Sequence, residues 1–427
     1  MVKDDVRNAA RPFQLCCGQE GGCEAALRAM KVFEAENTDG VLLIDASNAF
    51  NNLNRQVALI NIRYICPAIA TVLINCYRNP TSLFVGETTL LSKEGTTQGD
   101  PLAMIMFGLA TLPLINATKL PDTVQCWFAD DAAAGSRLAR LREWWDLLNR
   151  VGPLYGYFPN SIKTFLVVKP AKYIEAVEVF SGTSVKITCE GRGYLGGALG
   201  SYEFEYTHVQ GKVLEWQEEV KRLAKIALTQ PHAAYAAFAH GLISSWAYAV
   251  WVSLISPDDA LQPLADTITQ HLRPALINQL VPCKAMRDLL ALPSRLGGMG
   301  LVNPTKWGTS QQATSVAVSQ PLSQMIIGQG GDMLTVTKAQ RTIKAHFLRS
   351  SAHNKRLKQK MSSLSCQIYS RRVFKLLRRE LIRVACCHTS HTLRFQPQQR
   401  RILGHTVPPV QMAVALDAAE MQVWSPF

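Results

Sequence analysis

Two short apolar runs that each deliver carboxylates at their C-terminal end constrain this chain more than any other feature. Val41-Leu42-Leu43-Ile44 ends on Asp45, and Val124-Gln125-Cys126-Trp127-Phe128-Ala129 ends on the adjacent pair Asp130-Asp131. Runs of this length, bounded by polar or turn residues, read as β-strands. Laid side by side, the two strands bring three acids to one patch. Such a cluster repels itself at neutral pH unless divalent cations hold it together, and hard cations favour carboxylate oxygen. This is the donor set of two-metal phosphoryl transfer.

At 427 residues and 48% hydrophobic content, the chain can build two or three domains around a sizeable core. Met1-Val2-Lys3-Asp4-Asp5 opens on charges with no apolar core behind it, so no secretory leader is expected. The most apolar stretch, residues 233–255, carries His240 and several Ser and Tyr residues, and Pro257-Asp258-Asp259 follows. It reads as a buried helix pair, and no membrane is expected as a partner. The 11 cysteines are scattered apart from the neighbours Cys16-Cys17 and Cys386-Cys387. Without an export signal, reduced thiols and a cytoplasmic or nuclear location fit that usage.

The net charge of +13 is uneven, because Glu380 is the single acid between Lys338 and Leu416. That stretch holds Arg341, Lys344, Arg349, Lys355, Arg356, Lys358, Lys360, Arg371, Arg372, Lys375, Arg378, Arg379 and Arg383. Its density favours a tail that binds nucleic-acid phosphate over a merely solvated helical face. Such contacts position a nucleic acid without reading its sequence.

Periodicity and turn residues order the rest. Residues 21–36 read as a helix stopped by Gly40, residues 54–77 as a helical segment, and 82–85 with 88–91 as a hairpin turning at Gly86. Gly95 and Gly99-Asp100-Pro101 form a loop that opens an apolar helix over 102–112. After the double-aspartate hairpin come a helix over 138–150, a strand over 160–169 and a tight turn over 193–197. The pattern is mainly helical beyond Val213, with a break at 297–300 and a linker at 328–331.

Asp45-Ala46-Ser47-Asn48-Ala49-Phe50, Gln98-Gly99-Asp100-Pro101-Leu102 and Phe128-Ala129-Asp130-Asp131 follow one another in the order of a polymerase palm. Together they resemble a reverse transcriptase, the RNA-directed DNA polymerase of retroelements, and the non-LTR type more than the compact retroviral one. Asn160-Ser161-Ile162-Lys163-Thr164 and Tyr194-Leu195-Gly196 extend the resemblance in order, and residues 292–301 carry it to about residue 305. Phe128 stands where many such enzymes have tyrosine. Each motif alone is weak; the ordered set is specific.

The resemblance implies an α+β fold, a polymerase palm whose antiparallel sheet is packed with helices, with truncated fingers, a helical thumb-like region and a basic helical tail. The implied boundaries are a residual fingers or entry segment over 1–40, the palm over 41–205, the thumb-like or connection region over 206–327 and the tail over 328–427. Asp45, Asp130 and Asp131 become catalytic acids that hold two Mg²⁺ ions, with Mn²⁺ as the alternative; Ile44 or Ala46 would add a backbone carbonyl. Taken alone, Asp45 reads more commonly as a helix N-cap before Ala46–Phe50.

By the same resemblance Phe50 is a steric gate under the sugar, selecting dNTPs, where its plain reading is a core aromatic. Gln98 and Gly99 contact the incoming nucleotide or template base, while Asp100 caps the next helix. Lys163 acts on the departing pyrophosphate, or is a lysine at a strand edge. Tyr194, Leu195 and Gly196 form a primer grip, or a simple β-turn. Cys386-Cys387-His388 with His391 fits no regular zinc spacing.

The expected activity is therefore nucleotidyl transfer, extending a DNA primer on an RNA template with dNTPs. Only about 44 residues precede Asp45, a short allowance for fingers, which would impair nucleotide binding. Two other classes remain: an inert remnant that binds nucleic acid through its tail, and an RNA-dependent RNA polymerase, which an aromatic at Phe50 disfavours. No endonuclease or RNase H constellation is evident.

Overall fold

The structure, a computed structural model, describes residues 2–97, 99–253, 255–277, 287–288, 290–292 and 298–330. It is a mixed α/β molecule, mostly helical, around a small sheet rich in antiparallel pairs.

In chain order, α1 (Lys3–Ala10) and α2 (Gly22–Ala29) precede β1 (Gly40–Ile44). The short α3 (Ala49–Asn52) follows, then α4 (Arg55–Ile65), α5 (Pro67–Tyr77) and the hairpin β2 (Thr81–Val85) and β3 (Thr88–Ser92). Next are α6 (Ala103–Ala117), β4 (Val124–Phe128), β5 (Asp131–Ser136), α7 (Leu138–Tyr155), β6 (Phe165–Val168) and α8 (Tyr173–Val179). A last strand of the sheet, β7 (Lys186–Thr188), leads to a second hairpin, β8 (Gly191–Tyr194) and β9 (Gly197–Gly200), and to α9 (Tyr202–Ala227).

The five-stranded sheet runs in the order β4-β5-β1-β6-β7. Its pairs are antiparallel except β6–β7, which is parallel, so the sheet is not wholly of the antiparallel type expected. β1 lies at the centre with every residue buried. Side chains alternate between the faces of a strand, and the two faces meet different cores. Leu42, Ile44, Trp127, Ala132, Ala134 and Leu166 pack with Ile62, Phe107, Leu109, Trp144 and Leu148 from α4, α6 and α7. Val41, Leu43, Cys126, Ala133 and Val167 pack with Leu27, Tyr194, Leu322 and Ile326, from α2, the β8–β9 hairpin and the helix Pro304–Ile327. A further core of Val213, Trp216, Phe238, Trp246, Leu264, Leu272 and Leu301 holds the helices after β9 together.

Local chemistry explains where elements begin and stop. The helical segment over 54–77 is two helices, because residues before a proline leave the α region and Pro67 opens α5. The Asn54 side chain caps α4, accepting the Val57 N–H at 3.2 Å. The expected strand over 160–169 shrinks to β6: Asn160 Oδ1 accepts the N–H groups of Ile162 and Lys163, so residues 160–163 turn instead of joining the ladder. The helical region begins earlier than Val213, at Tyr202, where Ser201 caps α9. The apolar stretch is helical as far as Val252, with a π-turn over Ala237–Leu242, and no described helix is long and apolar enough to cross a membrane. The seven described cysteines are free thiols. The tail over 331–427, with Cys386, Cys387, His388 and His391, lies outside the described residues.

Candidate active site

The acids meet at one edge of the sheet. β4 and β5 are joined by a two-residue turn, Ala129-Asp130, closed by the pair Phe128↔Asp131. β5 pairs with β1 up to Ile44↔Ala132, so Asp45 and Asp131 each lie one residue past that last pair, at the same end of the ladder. Both carry the parity of Leu43 and Ala133, and Asp130 sits at the turn tip beside them. Like charges opposed across an antiparallel pair are destabilising, and the electrostatics register it. Partial burial and the charges of Asp130 and Asp45 push the Asp131 carboxyl up to about 6. Burial and Asp45 likewise raise Asp130, against the pull of Lys163. Lys163 Nζ lies 3.6 Å from Asp45 Oδ1.

Gln14 and Tyr157, which sequence reasoning passed over, hold this arrangement together with Asn160, named there only within a motif. Ala129 adopts a left-handed φ of 55°, a conformation costly for any residue with a Cβ. Gln14, fully buried, grips that residue from both sides: its Nε2 donates to the Ala129 carbonyl at 3.0 Å, and its Oε1 accepts the Ala129 N–H at 2.8 Å. The same Nε2 lies 3.1 Å from Thr111 Oγ1. Backbone bonds from Leu15 to Trp127 and from Trp127 to Phe13 lay this segment alongside β4. The Tyr157 hydroxyl donates to the Asp130 carbonyl at 2.9 Å. Asn160 donates its N–H to the Asp45 carbonyl at 2.9 Å, and its side-chain turn carries Lys163 over Asp45. A lone glutamine 115 residues from its partner leaves no local signal; Asn160 had one, in its turn-forming chemistry.

The other expected residues are placed less centrally. Phe50, on α3, is half-buried and stacks on Phe107 with ring centroids 4.4 Å apart. Its carbonyl accepts the Thr96 N–H at 2.7 Å, tying α3 to the loop that leads to residue 98. Gln98 itself lies outside the described residues; Gly99 takes a φ of 90°. Asp100 is not the N-cap of α6, which is Leu102; its Oδ1 accepts the Leu102 N–H at 2.8 Å in the turn before the helix, and its Oδ2 accepts from the Tyr77 hydroxyl. Arg55, buried, clamps the start of this loop through the carbonyls of Ser92, Glu94 and Gly95.

Tyr194 closes β8, and Leu195 and Gly196 form the turn to β9 with φ of 45° and 77°, the left-handed pair a tight hairpin turn requires. Tyr194 is buried with its hydroxyl 3.7 Å from Cys126 Sγ, so only Leu195 and Gly196 reach the surface here. The Tyr248 hydroxyl donates to the Leu195 carbonyl at 2.6 Å and pins the turn.

Among the described residues no three His, Cys, Asp or Glu side chains are gathered closely enough to hold a metal ion by themselves. The donor chemistry nevertheless suits a hard cation: three carboxylates, mutually repelling and partly open to solvent, against one ammonium group. Mg²⁺ is commonly held by one or two carboxylates with the remaining ligands from water and substrate phosphate, so a closed protein cage is not required.

No family model and no curated protein sequence matches this chain. Among solved structures it is similar to apo telomerase from Candida tropicalis, with a TM-score of 0.36 and 12% identity. That alignment covers 88% of this chain, which spans 56% of the telomerase chain. The likeness is distant and assigns no family.

Proposed function

We propose that this chain is a template-directed nucleotidyltransferase of the RNA-directed DNA polymerase type, extending a DNA primer on an RNA template with dNTPs. The observation that carries this reading is that Asp45 and Asp131 each lie one residue past Ile44↔Ala132, the last pair of the β1–β5 ladder, with Asp130 at the adjoining turn. Neighbouring strands stand about 4.8 Å apart, so carboxylates facing across one ladder step are within reach of a shared ion.

Asp45, Asp130 and Asp131 would hold Mg²⁺ or Mn²⁺, which supplies charge neutralisation and activation of a hydroxyl nucleophile. The chain's own groups do the rest. Lys163, with Nζ beside Asp45, is placed to stabilise charge on a departing pyrophosphate. The ring of Phe50, backed by Phe107, presents a rigid wall against a ribose 2′-hydroxyl. Gln98 and Gly99 bind the incoming nucleotide or template base, and the Tyr194-Leu195-Gly196 turn positions the primer through its exposed residues. In domain terms, residues 1–40 are a residual entry segment, 41–205 the palm, 206–327 a thumb-like region and 328–427 a basic nucleic-acid-binding tail. The protein acts in the nucleus or cytoplasm, as part of a retroelement of non-LTR kind.

Primer extension on an RNA template with Mg²⁺ and dNTPs tests this. The wild type extends the primer and Asp130→Asn loses at least about a hundredfold in rate, the scale of a lost charge-stabilising group. Absence of extension by the wild type, with RNA binding retained, leaves the second reading: a binding remnant in which Lys163 stays paired with Asp45.

A further inference from the structure

We propose that the helical region carries a second ligand site, a phosphate-binding pocket formed by Arg273, Arg287, Asn303 and Lys306 at the N-terminus of the helix Pro304–Ile327. A cavity of about 160 Å³ is lined by these four residues and Asp288. Three cations face a single carboxylate there, an excess of positive charge that a doubly charged anion balances.

Arg273 supplies the decisive detail. Its side chain is buried at 3% exposure, and its Nε–H has no hydrogen-bond partner. The two terminal nitrogens are engaged, Nη2 with the Leu301 carbonyl at 3.2 Å and Nη1 with Thr269 Oγ1 at 3.4 Å. A buried donor left unpaired on a charged group costs more than one on a neutral group. The Arg273 side chain lines the cavity and brings its positive charge to it. Burial and the charge of Arg287 push the Arg273 guanidinium down from its ordinary range, the sign of positive charge short of compensation.

The helix adds to this. Pro304–Ile327 is 24 residues long, and Asn303 caps it with Oδ1 accepting the Thr305 N–H at 3.0 Å and the Thr305 hydroxyl at 2.7 Å. The positive end of the helix dipole therefore opens at the cavity. A tetrahedral oxyanion, with acceptors in several directions, suits donors that arrive from three elements; guanidinium groups match phosphate oxygens particularly well. The cavity is smaller than the roughly 300 Å³ at which drug-sized ligands are housed. It admits one phosphate group, either free or on a nucleic-acid backbone, and leaves the rest of a larger ligand outside. The site does not rest on the polymerase reading, since it shares no residue with the acidic cluster and its binding is measured without catalysis.

Titration calorimetry of the full chain with inorganic phosphate is the test, alongside the variants Arg287→Gln, Lys306→Gln and their combination. Both residues are exposed, so the double variant melts as the wild type does without phosphate. The wild type binds phosphate, which raises its melting temperature, and the double variant weakens binding at least tenfold and loses that rise. A wild type that does not bind millimolar phosphate, or a double variant that binds it unchanged, overturns the site. A second arm measures a short RNA–DNA hybrid duplex: competition by phosphate and weakening in the double variant identify a backbone phosphate as the occupant. Duplex binding unchanged in the double variant, with phosphate binding lost, identifies a free phosphate compound.

Discussion

At the scale of single residues, Asp45 follows the fully buried β1, Asp130 sits at the tip of the β4–β5 turn and Asp131 opens β5. Gln14 holds that turn through two bonds to Ala129 that nothing near it in the chain marks. Those bonds let a residue with a Cβ hold a left-handed turn that aims Asp130. Gln14→Leu leaves the Ala129 N–H and C=O buried without partners, a loss of about 2–4 kcal/mol in stability by urea denaturation. The same variant weakens Mn²⁺ binding, followed by water-proton relaxation, because the acids lose their fixed spacing. Unchanged Mn²⁺ affinity in a destabilised variant reduces Gln14 to a packing role.

Among elements, the hairpins and the apolar α6 followed from turn residues and hydrophobic runs. The break between α4 and α5 was also written, in Pro67, whereas the parallel strand β7 was not: three residues carry too little pattern. α9 holds an unusual group. Glu205 is buried at 6% exposure, and burial, with Glu34 adding repulsion and Lys31 opposing it, raises its carboxyl to about 7. Against an ordinary value of 4.5, the folded chain binds the proton more tightly than the unfolded one. Stability from this group is therefore full below about pH 4.5 and is lost as the pH rises to about 7, by roughly 3 kcal/mol. Glu205→Gln removes that slope in denaturation curves taken across this pH range. A slope that survives the substitution assigns it to other groups.

For the whole molecule, the joining of the sheet to the helices runs through Arg28 of α2. Its guanidinium donates to Ser319 Oγ at 2.8 Å, to Ser315 Oγ at 3.0 Å and to the Trp251 carbonyl at 2.8 Å. One side chain thus ties α2 to Pro304–Ile327 and to the helix Ile243–Val252. Arg28→Ala removes these three bonds, leaving the serine hydroxyls to their own backbone partners, and uncouples the second sheet face from the helical core. The expected result is a thermal transition that splits in calorimetry, where the wild type melts as one unit; a single transition lowered intact shows that apolar packing alone joins the two.

The amino-acid order alone determined the apolar runs that lead into the acids and the loops that flank them, because these depend on side chains a few positions apart. Only tertiary structure decided that Asp45 and Asp131 come to the same end of the β1–β5 ladder, that Gln14 holds the turn at Ala129, and that Arg273, Arg287 and Lys306 surround one cavity. Those facts depend on strand order and helix docking across gaps of tens to hundreds of residues. At such distances burial selects the arrangement from the summed surfaces of whole elements, and no local pattern records the outcome.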